Sequence, residues 1–223
     1  MSFLTQRLSR PRKIFQMLER VHDFSGELFE EAQAYYDDAN QYWERIGRFD
    51  KLERLQYFQE PGNHSWEAFA EGRWGEAQQI RQRNRPTVAS EFAEDARRGI
   101  VARRVRVVDV PVTPYLQWEL HGLKLRAEHG ENIRVVDAAA VAMYEASRVV
   151  PELIFMDSLA MYEICYDENG VLYGARKFTD PDLIFECQAD FDALYQQGED
   201  LHTFFAREIE PLPPPTLDPE RTR

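Results

Sequence analysis

The chain has 223 residues, 43% of them apolar and 13% aromatic, so it can bury a sizeable core without metals or disulfides and is neither a mini-protein nor wholly disordered. Its net charge of −12 argues against a general nucleic-acid binder, because phosphate groups attract basic surfaces. No run reaches the roughly 18 consecutive apolar residues of a membrane span, and the Arg-rich start lacks the apolar run of a signal peptide, so we expect a cytoplasmic protein.

The first 62 residues predict an N-terminal helical extension. After a basic arm, helical periodicity occurs in three runs, at residues 14–21, 28–46 and 49–58. Tyr35, Tyr42 and Trp43 lie on the apolar stripe of the second run. We expect most of these aromatic side chains to pack on the core. Any that is exposed would anchor a docking contact or a homodimer.

The next stretch predicts further helices. Trp66 and Phe69 fall in a short helix, and a second helix runs from about Glu76 to Arg83. Pro86 opens a third helix that stops at Gly99, the residue type best suited to a left-handed C-terminal position.

Strands are predicted after Gly99, at residues 101–110, 115–125 and 133–136. The second of these depends on the alternation of Leu116, Trp118 and Leu120. Asp137 then caps an alanine-rich helix that extends to about Arg148.

The C-terminal third predicts three apolar runs and two helices. The runs at residues 161–166 and 171–178 are joined by an Asp-Glu-Asn-Gly turn, which indicates a β-hairpin, and residues 152–156 precede them. Asp180-Pro181 begins one helix, and residues 201–207 form a short last one. We therefore predict an α+β or α/β fold, with a mixed β-sheet core and flanking helices over residues 63–208, the extension over 1–62 and a disordered Pro-rich tail over 209–223.

The sequence contains no motif for a metal, a cofactor or a catalytic nucleophile. The five His and two Cys do not pair at ligand spacing, and GxGxxG, GxxxxGK[ST], GxSxG and HExxH are all absent. Cys165 and Cys187 lie in apolar segments and are expected in the core. We expect no cofactor and no metal.

Charged and aromatic residues near the predicted strands form a candidate ligand site. Alternation places Arg104 and Arg106 on one face of their strand, and a carboxylate beside an Arg in the loop 130–134 is typical of polar-ligand binding, although internal ion pairs are the more frequent outcome. Aromatic walls with charged anchors suit a pocket. The candidate ligand-binding residues are Arg104, Arg106, Tyr115, Trp118, Glu119, Glu131, Arg134 and Asp157.

Four segments, at residues 103–111, 113–120, 130–134 and 153–174, resemble a family of actinobacterial proteins of unknown function whose members are often encoded beside Xre-type helix-turn-helix regulators. That resemblance covers about residues 64–206. Residues 152–205 also resemble the C-terminal half of phospholipase-D-like sensor domains of bacterial regulators, which implies an α/β sandwich without catalysis. Active members of that superfamily use HxKxxxxD, whereas His121-Gly-Leu-Lys124 has different spacing and no Asp follows in place.

Three functions are compatible with these observations. The first is a non-enzymatic regulatory protein that binds a small ligand or a partner such as a regulator protein. The alternative is an enzyme of a natural-product biosynthetic pathway acting on a phosphate-bearing, nucleotide-linked or tRNA-linked substrate. The third is a nucleic-acid contact through the basic stretch from Arg81 to Arg106. The sequence from Arg73 to Arg106 contains nine Arg and only four acidic residues.

Overall fold

The computed structural model describes residues 17–145 and 148–217 and contains one eight-stranded mixed β-sheet. The strand order is β1-β7-β6-β5-β2-β3-β4-β8. The strands are β1 Glu27–Phe29, β2 Arg48–Glu53, β3 Val101–Val108, β4 Asn132–Asp137, β5 Leu153–Met156, β6 Ala160–Tyr166, β7 Leu172–Phe178 and β8 Glu199–Asp200. The helices are α1 Met17–Arg20, α2 Ala32–Asn40, α3 His64–Ala70, α4 Trp74–Arg98, α5 Pro114–Ala127, α6 Ala138–Val141, α7 Pro181–Gln197 and α8 Leu201–Phe204.

The sheet has a parallel part and an antiparallel part that meet at β2. Strand β2 pairs in parallel with β3, which pairs in parallel with β4, and helices cover both crossovers. On its other side β2 pairs antiparallel with β5, which begins the β5-β6-β7 meander. The predicted mixed sheet with flanking helices is therefore confirmed.

Helices cover the two faces of the sheet differently. One face carries α1 and α7, whose apolar residues pack on Leu52, Val105 and Phe155 in the largest core cluster. The opposite face carries α2 over the antiparallel part and α5 over the parallel part. Helices α3 and α4 lie beyond α5 and pack against Tyr115 and Trp118. The gap between α2 and α5 on this face is where the cavity described below lies.

Three predicted elements of the N-terminal half differ in the structure. The helix expected over residues 28–46 is shortened to α2, because residues 27–29 pair with β7 as an edge strand. The helix expected over residues 49–58 is wrong, since residues 48–53 form β2 in the middle of the sheet. The break expected at Pro86 is absent, and α4 continues through it to a left-handed Gly99 with φ of 77°. Pro86 lies exposed, where water can bind the carbonyl that it leaves without an N–H donor.

Two further predictions fail in the C-terminal half. Residues 115–125 form helix α5 rather than a strand, because Thr113 caps the helix and Pro114 occupies its first turn. The helix after Asp137 is short and gives way to a 3-10 turn at Ala142–Tyr144. The strands at 101–108 and 132–137, the β6–β7 hairpin and α7 are confirmed.

The expected basic arm and the end of the Pro-rich tail lie outside the described residues. Of the tail, residues up to 217 are described, and the side chain of Gln117 on α5 donates a hydrogen bond to the carbonyl of Pro213 at 2.9 Å. Tyr35 is buried, and Tyr42 and Trp43 are partly buried against the sheet, as expected for aromatic residues that pack on the core. Among the described residues, no helix is both long and apolar enough to cross a membrane.

Candidate functional site

A cavity of about 860 Å³ lies on the sheet face between α2 and α5. Side chains of β2 and β3 form its floor, and the walls come from α2, α4, α5 and the loop after β2. Alternation along the strands explains the floor, because Lys51 and Glu53 on β2 and Arg104 on β3 point to this face. Strands β5, β6 and β7 also border the cavity, through Ile154, Tyr166 and Leu172, which belong to the core cluster on the same face of the sheet.

The floor is a continuous network of ion pairs. The Arg104 guanidinium bonds Glu53 at 2.5 Å and Glu131 at 2.7 Å, Lys51 pairs with Glu53 at 2.7 Å, and Arg126 donates to Glu131. Burial would raise the pKa of Glu131, but Arg104 and Arg126 together lower it, and the field of Arg104 and Lys51 lowers the pKa of Glu53 in the same way. These carboxylates are therefore held in the charged form.

Arg106 forms a second, deeper pair. Its side chain is fully buried, and its Nε donates to Glu119 at 2.8 Å. Its Nη1 donates to the carbonyl of Val107 at 3.0 Å. Burial raises the pKa of Glu119 despite this pair, and the neighbouring Glu53 raises it further. The hydroxyl of Tyr115 lies 3.4 Å from Glu119.

Arg81 on α4 is the cation that this network does not neutralise. It is only 8% exposed, lines the cavity, and lies on the same buried helix face as Ala77. Its Nε donates to the Ser65 hydroxyl at 3.1 Å and its Nη1 to the carbonyl of Trp118, whose ring lies 4.2 Å from the guanidinium carbon. These partners are neutral, and in the described part of the chain no carboxylate lies within 4 Å of the Arg81 guanidinium.

Helix α5 permits this placement of Arg81 because it carries Gly122. A Cβ at that position would lie 3.0 Å from the Arg81 Nη1, tighter than most real contacts.

Burial lowers the pKa of Arg81 to about 10, although Glu60 and Glu119 oppose the decrease. The guanidinium therefore stays charged at neutral pH.

Glu60, on the loop after β2, borders the same cavity. Its carboxylate accepts hydrogen bonds from the Tyr115 hydroxyl and from the Asn63 amide, both at 2.8 Å. No Lys, Arg or His side chain of residues 17–145 and 148–217 forms an ion pair with it. Glu60 is thus a carboxylate with neutral partners.

The structure brings together six of the eight residues predicted from sequence and separates two. Arg104, Tyr115, Trp118 and Glu119 line the cavity, and Arg106 and Glu131 lie behind them in the ion-pair network. The other two residues, Arg134 and Asp157, are described next.

Arg134 and Asp157 are not part of this site. Arg134 points to the opposite face, with its guanidinium carbon 5.7 Å from the centre of the Tyr195 ring. Asp157 adopts a positive φ of 54° in the turn after β5, where its carboxylate accepts hydrogen bonds from the backbone of Gly47 and Ser158. Both residues therefore have structural roles in this conformation.

Sequence reasoning missed Lys51, Glu53 and Glu60 and assigned Arg81 to a possible nucleic-acid contact. Alternation in residues 48–53 was the available signal for Lys51 and Glu53, but a strand with charges on both faces does not show a strand pattern. No sequence signal separates Arg81 from the other arginines of α4.

The arginines of the basic stretch are mostly neutralised within the chain. Arg104 and Arg106 are buried, the exposed Arg97 pairs with Glu94, and the half-buried Arg85 pairs with Glu128. The arrangement favours ion pairing within the fold over a surface for a phosphate backbone.

His121 and the two cysteines are held in their neutral forms in this conformation. His121 packs between the rings of Trp74 and Phe205, and burial lowers its pKa to about 4, so it is neutral. Burial raises the pKa of both Cys165 and Cys187. No group of three or more His, Cys, Asp or Glu that could hold a metal is present among the described residues.

Residues 37–206 match the family described as Domain of unknown function (DUF6879). The chain belongs to this family. The match begins within α2, earlier than the residue 64 expected from sequence, so DUF6879 includes β2 and every charged residue of the cavity. Neither the curated proteins nor the solved structures show a match to this DUF6879 chain.

Proposed function

We propose that this protein binds a small organic anion in the cavity between α2 and α5, and that binding, not catalysis, is its function. The observation that supports this proposal is Arg81, a buried cation with only neutral hydrogen-bond partners that faces the cavity. Removing a charge from water is costly unless an opposite charge compensates it. A carboxylate or phosphate bound beside Arg81 would supply that charge.

The shape and lining of the cavity agree with a small molecule. Its volume of about 860 Å³ falls in the range typical of ligand pockets, and its walls combine aromatic rings with a few polar groups. Trp118 stacks on Phe69 with ring centres 5.6 Å apart, so the wall beside Arg81 is held by packing. A rigid wall lowers the entropy cost of binding.

We also propose that binding serves regulation. The resemblance to a family encoded beside Xre-type regulators and to phospholipase-D-like sensor domains supports this role. The neutral, ring-packed His121 is consistent with a sensor-type module that lacks phosphodiesterase chemistry.

The alternative function is an enzyme of a biosynthetic pathway. The observation that favours it is Glu119, a cavity carboxyl whose pKa is raised by burial and which lies beside the Tyr115 hydroxyl. Such a group can donate a proton to a substrate. Its close pair with Arg106 makes binding the better-supported function.

A titration of the purified protein with a panel of aromatic anions (benzoate, phenylacetate and phenyl phosphate) tests the binding proposal. We expect at least one to bind the wild type and to bind Arg81→Met about tenfold or more weakly, because the charged hydrogen bond is lost. The matched control is Arg83→Met, an exposed arginine two residues along the same helix. No binding of any member, or equal binding by all three proteins, would reject the proposal. Conversion of a bound compound in a native mass spectrum would favour the enzyme.

A further inference from the structure

Among the described residues, the charges that line the cavity include one cation and one anion that form no ion pair within 4 Å. Lys51 and Arg104 both pair with Glu53, while Glu119 pairs with Arg106 and Arg126 with Glu131. The two lining charges that remain are Arg81 and Glu60. In the described part of the chain the cavity therefore presents one charge of each sign without a direct ion pair, and Glu60 is the carboxylate whose charge acts most strongly on Arg81.

Arg81 and Glu60 are separated by a row of two aromatic rings. The Arg81 guanidinium lies over Trp118 at 4.2 Å, and the ring centres of Trp118 and Tyr115 are 5.5 Å apart. The Tyr115 hydroxyl then donates to Glu60 at 2.8 Å. A molecule that lies along this row contacts both charges and covers both rings. A free amino acid carries both of its charges on one carbon, so it covers less of the row.

Aromatic rings also surround the end of the cavity that contains Glu60. Phe58 lies 4.7 Å from Tyr166 and 5.9 Å from Tyr115, measured between ring centres, and the half-exposed Tyr36 borders the opening. Ring faces attract a cation, and a carboxylate among them adds a full opposite charge. This end suits an ammonium group.

We propose that the ligand is a zwitterion of the short-peptide class, with its carboxylate on Arg81, its ammonium group on Glu60 and an apolar or aromatic side chain against the rings. An extended chain spans ~3.5 Å per residue, so two or three residues cover the row. This inference rests on the proposed anion site and adds the second charge and the length.

The test uses the dipeptide phenylalanyl-phenylalanine in three forms: with free termini, N-acetylated, and C-amidated. Isothermal titration should show that the free form binds the wild type most tightly. Blocking either terminus should weaken binding about tenfold, because each terminus loses a charged contact. Free phenylalanine should bind more weakly than the dipeptide, since it covers less of the row of rings between the two charges.

Substitutions assign each terminus to its residue. In Glu60→Gln, acetylation should no longer weaken binding, while amidation still should. The amide oxygen can keep the hydrogen bond from Tyr115, whereas the hydrogen bond that Asn63 donates to the other oxygen is lost. In Arg81→Met, amidation should no longer weaken binding, while acetylation still should. Glu210→Gln, an exposed carboxyl outside the cavity lining, is the control of equal charge change and should behave as the wild type.

The outcomes separate this inference from the anion site on which it rests. If the acetylated dipeptide binds the wild type as tightly as the free form and still depends on Arg81, the anion site stands and the zwitterion is rejected. If phenylalanine binds more tightly than the dipeptide, the short-peptide class is rejected. If neither the dipeptides nor the aromatic anions bind, both proposals fail.

Discussion

The arginines of β3 show how single residues determine what this sheet can do. Arg103 points to the α7 face and forms two hydrogen bonds of 2.7 Å with Asp50, whereas Arg104 and Arg106 point to the cavity face and pair with glutamates. A buried charge is tolerated when such partners compensate its lost hydration. The arginines of β3 are therefore compensated within the fold, whereas the hydrogen-bond partners of the buried Arg81 are neutral.

Glu152 is a buried carboxyl that no arginine or lysine pairs with in the described structure. Its Oε1 accepts backbone hydrogen bonds from Arg54 and Leu55, but its Oε2 has no partner in the described structure. Burial, followed by the charge of Glu53, raises its pKa to about 7, against the opposing effects of Arg106 and the two backbone donors. At neutral pH a large share of the folded molecules therefore carry this carboxyl protonated.

The raised pKa of Glu152 predicts a pH-dependent stability of definite sign. The unfolded carboxyl has a pKa of about 4.3, so between about pH 5 and pH 7 the folded state holds a proton that the unfolded state has lost, and the free energy of unfolding falls as pH rises. The decrease approaches about 1.4 kcal/mol per pH unit for this single group. Urea unfolding of Glu152→Gln across this range should show a flatter dependence than that of the wild type. The control is Glu210→Gln, which should keep the pH dependence of the wild type. If the free energy of unfolding of Glu152→Gln changes with pH as steeply as that of the wild type, the pH dependence does not come from Glu152.

Part of the candidate site can be predicted from the positions of single residues in the sequence. The alternation of Arg104 and Arg106 gives their common face, and that prediction is confirmed by their pairs with Glu131 and Glu119. Arg81 cannot be singled out, because its difference from Arg83 is burial against Trp118, which depends on how α4 meets α5.

At the scale of elements, α5 shows why a pattern can mislead. Leu116, Trp118 and Leu120 alternate as in a strand, yet Gln117 and Glu119 between them are also buried, because α5 packs against the sheet on one side and α3 and α4 on the other. A helix buried nearly all round loses its 3.6-residue period. Its cap, Thr113 before Pro114, is the local signal that would have indicated a helix.

Two glycines of helix α4 allow the cost of a positive φ to be measured separately from the freedom that a glycine gives to the unfolded chain. Gly99 ends the helix at a φ of 77°, whereas Gly75 lies in its first turn without a positive φ, and a Cβ at either position would meet open space. Gly99→Ala should therefore lower the free energy of unfolding by about 1 kcal/mol through backbone strain alone. Gly75→Ala should raise it by about 0.5 kcal/mol, because the unfolded chain loses freedom. Thermal and urea unfolding measure the change in the free energy of unfolding for each variant. If both variants change it in the same direction, the explanation by backbone conformation is wrong.

On the scale of the whole molecule, β2 connects the two parts of the sheet. Its Leu52 is fully buried in the core beneath α7, while its Glu53 forms the floor of the cavity. A short strand between β5 and β3 that carries charges toward both faces has no clear period, which is why sequence reasoning assigned it to a helix. The same strand pairs with both of its neighbours and supplies two residues of the ion network, Lys51 and Glu53.

This central position leads to a prediction about the division of the chain after residue 62. A fragment from residue 63 onward lacks β2, so β3 and β5 lose their shared neighbour and Arg104 loses Glu53. Breaking a buried pair by removing one partner costs about 3–5 kcal/mol, a large fraction of the stability of a typical domain. We therefore expect this fragment to lack a cooperative unfolding transition in circular dichroism and to recover one when residues 1–62 are added as a separate peptide. Cooperative unfolding of the fragment alone would show instead that residues 1–62 are an extension to an independent domain.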